Sequence, residues 1–200
     1  MAAGEVYDNL IAGCRIGIRD YSEGALTNPH GLKNTLIANN TIIMPATTPP
    51  NTYTAGIQLQ DNGTANTNSF IVSNAIYGFD NTEPVIWSMA QGAISGIALD
   101  NNGYYNPGST TPFWQGSNIV NNLTFAQWQQ QLGADVHGLF ADPKLVGVAQ
   151  FQAAGTTPYS YLNAMPTSGS PLIGNGVTQS AFSTNLLVAA RAGVWSIGAF

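Results

Sequence analysis

Six polar side chains suited to proton transfer or charge stabilisation gather near the start of the 200-residue chain: Arg15, Arg19, Asp20, Glu23, His30 and Lys33. They include three of the chain's five Lys and Arg residues. Eliminative cleavage of an acidic polysaccharide needs a cation beside the uronate carboxylate and a base to take the C5 proton. Arg19 fits the first role, and Lys33 or His30 the second. Hydrolytic cleavage of a glycosidic bond needs two carboxylates on either side of it. Asp20 with Glu23, or Asp20 with Asp61, meets that need. A plainer reading stands beside each. Asp20, Asp61 and Asp100 all follow a strand-like segment, where Asp caps turns, and His30 follows Pro29 in a loop.

Side chains so far apart in sequence converge only if the chain folds back regularly, and the chain does repeat itself. The stretches VYDNLI, LIANNTII, FIVSNAIY and ALDNNGYY, starting at Val6, Leu36, Phe70 and Ala98, each set an Asn after an apolar, β-prone lead. Those residues are Asn9, Asn40, Asn74 and Asn102, spaced by 31, 34 and 28. A second phrase, Gly-Ile, recurs at Gly17-Ile18, Gly56-Ile57 and Gly96-Ile97. Constant wording at uneven spacing predicts short fixed strands joined by loops of variable length, as in a β-solenoid. One layer cannot bury its inward side chains alone, so equivalent strands stack. Ile11, Ile42, Ile76 and Tyr104 then form one column. The four Asn residues form another at a corner, since Asn tolerates left-handed backbone and its amide can bond the Asn above.

Composition narrows the partners. Charged residues make up 8% of the chain, against roughly 25% in an ordinary soluble domain. The net charge is −5, so a nucleic-acid backbone, which requires clustered Lys and Arg, is an unsuitable ligand. No segment has the length and apolarity of a membrane-spanning helix. Cys14 stands alone, so no intrachain disulfide forms, and it reads as a small buried hydrophobe. The N-terminal MAAGEVYDNL lacks the pattern of a signal sequence, while the Asn/Thr/Gly-rich, Lys-poor composition points to an exported or cell-surface origin.

Further segments carry a resemblance. LDNNGYYNP, then TFAQWQQQLGADVHGLFADPKLV, then SGSPLIGNGV and the closing WSIGAF resemble the C-terminal half of right-handed parallel β-helix repeat proteins of the pectate-lyase-like kind. The resemblance covers nearly the whole chain. It implies an all-β, right-handed parallel β-helix with an Asp-x-His scaffold pair, here Asp135 and His137. The family's fold hosts lyases, glycoside hydrolases, tailspikes and surface proteins, so its implication for activity is broad. Two departures stand out: the acid usual after the Ser-Pro ending is replaced near Gly174-Asn175, and Ser196 stands where an Asp precedes the last Ile-Gly.

The chain reads as a single domain of five or six rungs. Residues 1–110 form regular rungs, 111–145 an excursion with a short external helix near 124–132, and 146–200 the last strands and a cap over the open end of the stack. Thr124 suits the helix N-cap and Gly133 its end. KLVGVAQF and VWSIGAF read as strands, and Asp142 as a turn former. Aligning the three Gly-Ile phrases sets Arg19 beside Gln58 and Ala98, Asp61 beside Asn101, and Asp100 beside Gln60. That alignment predicts a groove of Arg19, Asp20, Gln58, Gln60, Asp61 and Asp100 able to hold a linear glycan. Tyr104 and Trp114, with Trp87 and Tyr105, are sugar-stacking candidates as well as packing residues. Asp61, Asp80, Glu83 and Asp100 form a Ca²⁺ candidate set, without the spacing of a known calcium loop. Two functional expectations follow: a polysaccharide lyase or glycoside hydrolase, or a non-catalytic glycan-binding or structural surface module. The first needs the Arg19 cluster to converge in an open groove, and the second needs each member satisfied locally.

Overall fold

The computed structural model describes residues 4–20, 31–46, 53–60, 66–79, 83–89, 94–116, 121–151 and 160–200. Strands come in successive threes. The first layer holds β1 (Gly4–Tyr7), β2 (Leu10–Ala12) and β3 (Ile16–Asp20). The second holds β4 (Thr35–Ala38), β5 (Thr41–Ile43) and β6 (Ala55–Leu59). The third holds β7 (Ser69–Val72), β8 (Ala75–Tyr77) and β9 (Ile86–Ser88). The fourth holds β10 (Ile97–Asp100), β11 (Gly103–Tyr105) and β12 (Phe113–Gln115). The leading strands of all layers pair in parallel as sheet A, the middle strands as sheet B and the last strands as sheet C. The described residues therefore contain four complete layers, fewer than the five or six expected. β13 (Asn121–Leu123) then turns back antiparallel on β12, α1 (Phe125–Leu132) follows, and β14 (Leu139–Phe140) adds to sheet B beside β11.

The register explains the repeated phrase. Ile11 pairs with Ile42, Ile42 with Ile76, and Ile76 with Tyr104, as the column requires. Val6, Ile37, Ile71 and Leu99 do the same in sheet A, and Ile18, Ile57, Ile86 and Phe113 in sheet C. These three files meet in one core. Each layer's apolar residues are sealed only by the layers above and below.

Sheets A and B are joined at each layer by a two-residue corner. Its first residue is left-handed: Asp8 (φ 52°), Asn39 (52°), Ser73 (57°) and Asn101 (56°). Its second is the repeated Asn. The two properties expected of one Asn are thus divided between neighbours. Asn9 Nδ2 donates to Asn40 Oδ1 (2.9 Å), Asn40 to Asn74 (2.9 Å), and Asn74 to Asn102 (3.0 Å). Each Oδ1 also accepts the backbone N–H of the Asn one layer earlier. The ladder has a direction, so it needs an acceptor at its end. That acceptor is Asp135: its Oδ1 takes Asn102 Nδ2 at 2.7 Å, and its Oδ2 takes the Tyr104 hydroxyl (2.7 Å) and Trp128 Nε1 (3.1 Å).

Two of the Gly-Ile phrases follow from packing. A Cβ at Gly17 would lie 2.5 Å from Ile42 Cγ2, and one at Gly56 would lie 2.4 Å from Ile76 Cγ2. Glycine is needed where the start of a sheet C strand passes over the inward Ile of sheet B. The third phrase is different. Ile97 belongs to sheet A, and Ile57 pairs with Ile86 instead. The alignment that placed Ala98 beside Gln58 is therefore overturned.

α1 forms as expected. Thr124 and Gln127 make a reciprocal capping box, and Gly133 ends the helix in the left-handed conformation (φ 61°). Trp128, Phe125 and Leu132 pack on the core, so the helix covers the C-terminal end of the stack. The described part of residues 146–200 lies along the sides of the stack rather than over that end: Phe151 and Ala164 pack with Ile43 of sheet B, and residues 175–198 follow the A–B corner and touch every layer. Asn101 Nδ2 donates to Asn175 O (3.4 Å), Val177 N to Ser73 Oγ (2.8 Å), and Asn39 Nδ2 to Ser196 O (3.0 Å). At the first layer Arg191 Nη2 meets Asp8 Oδ1 at 2.6 Å in a nearly buried ion pair. VWSIGAF is an irregular segment bonded to that corner, as in Gly198 N–H to Ser73 O. KLVGVAQF ends in a 3-10 turn (Val148–Phe151), and neither stretch is a strand. Cys14 is exposed.

Candidate functional site on the outer face of sheet C

Alternate residues of a strand face opposite sides. In sheet C the side away from the core carries Arg19, Gln58, Trp87 and Trp114, which follow one another in register. Trp87 and Trp114 meet edge to face, with ring centroids 6.1 Å apart. Tyr53, just before β6, lies edge-on to both at 5.4 and 6.5 Å and is 46% exposed. Arg15 Nε holds the Tyr53 carbonyl at 2.9 Å. The aromatic group open to solvent is therefore Tyr53, which the sequence reading did not single out. The two tryptophans support it from beneath: Trp114 is only 6% exposed, so it is a foundation rather than a platform.

The same sheet concentrates polar atoms that lack a hydrogen-bond partner among the described residues. They are Gln58 Oε1, Gln60 Oε1, Trp114 Nε1 and Gln115 Nε2, together with Thr54 Oγ1 near the start of β6. Gln58 is 2% exposed. A buried amide left unpaired costs about 1–3 kcal/mol, and these atoms are covered from solvent.

The expected groove is brought together only in part. Arg19, Gln58 and Gln60 share the sheet C strands or their ends. Asp20 is on the same strand as Arg19 but stands opposite the core residue Leu59, so the two project to opposite sides. Lys33 bridges Thr67 at the head of sheet A. Glu23, His30, Asp61 and Asp80 lie outside the described residues. Asp100 ends a sheet A strand, in register with Val72 and not beside Gln60. Tyr104 is 1% exposed and points into the core toward Asp135, which removes it as a sugar platform. Glu83 is buried and accepts the Thr54 N–H at 3.1 Å. No group of three His, Cys, Asp or Glu residues suited to a metal occurs among the described residues.

A second constellation lies across the molecule. The Asp100 carboxylate accepts the His137 backbone N–H (2.8 Å) and the Asn101 N–H (2.9 Å) on one oxygen, and faces His137 Nδ1 at 2.7 Å with the other. Burial pushes its pKa up, but the bonds from His137 and Asn101 outweigh burial and hold it below the usual carboxylate range. The Asp-x-His resemblance had paired His137 with Asp135. The structure pairs it with Asp100 and gives Asp135 to the ladder. Asp100 also lines a cleft of about 550 Å³ between β10 and the end of α1, with Ile94, Ala98, Gln131, Leu132 and Val136. Asp142 is the turn former expected, accepting the Lys144 N–H at 2.8 Å.

No protein-family model matches the chain, and no curated protein matches it. Among the described residues no helix is long and apolar enough to cross a membrane.

Proposed function

We propose that this chain is a right-handed parallel β-helix domain of the pectate-lyase-like kind that binds a linear glycan across the outer face of sheet C. The observation that carries the reading is the register of Arg19, Gln58, Trp87 and Trp114 beneath an exposed Tyr53. A pyranose ring stacks its apolar face on Tyr53. Arg15 and Arg19 add positive charge suited to a uronate. The reading is one of recognition, because most described carboxylates already have structural duties. Asp8 meets Arg191, Asp135 ends the ladder, Glu83 holds Thr54, and Asp142 holds Lys144. The Lys-poor, Asn-rich composition accords with an exported or cell-surface setting.

One observation favours a catalytic reading, as a lyase or hydrolase: the carboxylate-held imidazole of His137 beside the 550 Å³ cleft has the form of a general base. A panel of uronate-containing and neutral polysaccharides separates the two. Retention of hexagalacturonate, lost in Tyr53→Ala and Arg19→Ala, with neither unsaturated products nor new reducing ends, supports recognition. Turnover abolished by His137→Ala supports catalysis, and the absence of both binding and turnover across the panel refutes the proposal.

A further inference from the structure

We infer that the outer face of sheet A is a separate groove for a neutral linear glycan. Glu5, Leu36, Phe70 and Ala98 are in register along this face and alternate with the core file Val6, Ile37, Ile71 and Leu99. Strands stacked at about 4.8 Å put roughly 14 Å between the ends of that row. Phe70 interrupts an otherwise buried strand: its neighbours Ser69, Ile71 and Val72 are buried, while Phe70 is 42% exposed.

The first three members of the row, Glu5, Leu36 and Phe70, floor a cavity of about 330 Å³ with two polar walls. On one side are Asn34 and Asn68, both left-handed (φ 50° and 48°), with Asn68 Nδ2 donating to Asn34 Oδ1 at 2.9 Å. On the other is the C-terminal strap, contributing Gln179, Ser180 and Ala181. The strap wall is fixed next to the groove by Phe182, whose ring stacks on Tyr7 at 4.2 Å and 3°. Ala98, the last member of the row, lines the 550 Å³ cleft beside α1 instead.

This lining selects its ligand by chemistry. An exposed phenyl ring offers a flat apolar surface to one face of a sugar. Amides and hydroxyls in repeating layers offer donors and acceptors to ring hydroxyls. Among the described residues the one charged residue lining the 330 Å³ cavity is Glu5, which accepts from hydroxyls and repels a uronate. The preference is opposite to that of the Arg19 face, so the two sites are distinguishable by ligand charge.

The test is calorimetric titration of the full chain with xylohexaose, cellohexaose, mannohexaose and hexagalacturonate. At least one neutral hexasaccharide binds, and Phe70→Ala weakens it tenfold or more while Phe70→Tyr retains it. Gln179→Ala weakens it several-fold, and Tyr53→Ala leaves it unchanged. Phe70 is exposed, so thermal melts of its variants should match that of the parent. The inference is overturned if none of the three neutral sugars binds, if Phe70→Ala binds them as well as the parent, or if hexagalacturonate is the ligand lost in Phe70→Ala. It is also overturned if Phe70→Ala changes the oligomeric state without changing sugar binding. Loss of hexagalacturonate binding in Arg19→Ala alone bears on the sheet C proposal and leaves this one standing.

Discussion

Replacing Asn74 by Ala removes the middle of the ladder, and its cost can be worked from the bonds it breaks. Asn74 is fully buried. Its Oδ1 accepts the Asn40 N–H at 3.1 Å and Asn40 Nδ2 at 2.9 Å. Its Nδ2 donates to Ile37 O, Val72 O and Asn102 Oδ1. Truncation leaves the buried Asn40 N–H and one of the two Asn40 Nδ2 hydrogens without an acceptor, the other still donating to Val6 O at 2.8 Å, at about 1–3 kcal/mol for each lost bond. The expected loss is about 3–5 kcal/mol, a large part of the 5–15 kcal/mol typical of a domain. Asn9→Ala is the control. Asn9 sits in the first layer, and after its truncation Asn40 Oδ1 still accepts the residue 9 backbone N–H, 3.1 Å away in the parent. Nothing buried is orphaned, and about 1 kcal/mol is expected. Urea unfolding, with the slope m held constant, measures both. Equal costs for the two variants, within about 0.5 kcal/mol, would show that the ladder does not carry load from layer to layer.

Other perturbations have distinct expected outcomes. Burial raises the Asp135 pKa from 3.8 to about 6, despite the bonds from Tyr104, Asn102 and Trp128 that favour its charge. Because the folded value lies above the unfolded one, its contribution is fully present below pH 4 and is lost as pH rises through 6. The loss is about 3 kcal/mol at 1.36 kcal/mol per unit. Asp100, lowered instead, loses its contribution as pH falls below its ordinary range. In Asp135→Asn the decline in stability between pH 4 and 6 should flatten, and a profile identical to the parent's would contradict this assignment. Gly56→Ala should cost about 1–3 kcal/mol by overpacking, since its Cβ would sit 2.4 Å from Ile76 Cγ2; an unchanged melting temperature counts against the close approach. Arg191→Ala leaves Asp8 in a nearly buried setting, where breaking such a pair costs about 3–5 kcal/mol. Limited proteolysis should then cut residues 170–200 well before the stack, and an unchanged cleavage rate would mean the strap is held by other contacts.

The columns were legible because the A–B corner has constant length. One left-handed residue and one Asn separate the two strands in all four layers, so aligning the phrase amounts to aligning the register. That is why Ile11, Ile42, Ile76 and Tyr104 could be placed without coordinates. The groove was less legible because the segments into and out of sheet C vary in length. Gly96-Ile97 copies the wording of the sheet C phrases but folds into sheet A, while Val85-Ile86, with no glycine, takes the third place in sheet C. Asp100 moved sheets with that error. Asp135 was hidden because it ends a ladder of Asn with an Asp and follows a helix. A signal was present all the same: it lies 33 residues after Asn102, within the spacing of the ladder, and a chain of amides donating in one direction requires a terminal acceptor. Tyr53 was passed over because it stands in a Pro/Thr-rich stretch that reads as loop. The strap carries no strand periodicity, and its hold on the stack combines bonds from corner side chains, the Phe182–Tyr7 stack and the distant Arg191–Asp8 pair, none of which has a pattern in sequence.

Methyl-labelled NMR of the isoleucines tests the stacking most directly. Layers spaced at about 4.8 Å predict strong methyl cross-peaks from Ile42 to both Ile11 and Ile76, with none between Ile11 and Ile76 two layers apart. A direct Ile11–Ile76 contact, or an Ile42 that touches neither, would contradict the order of the layers.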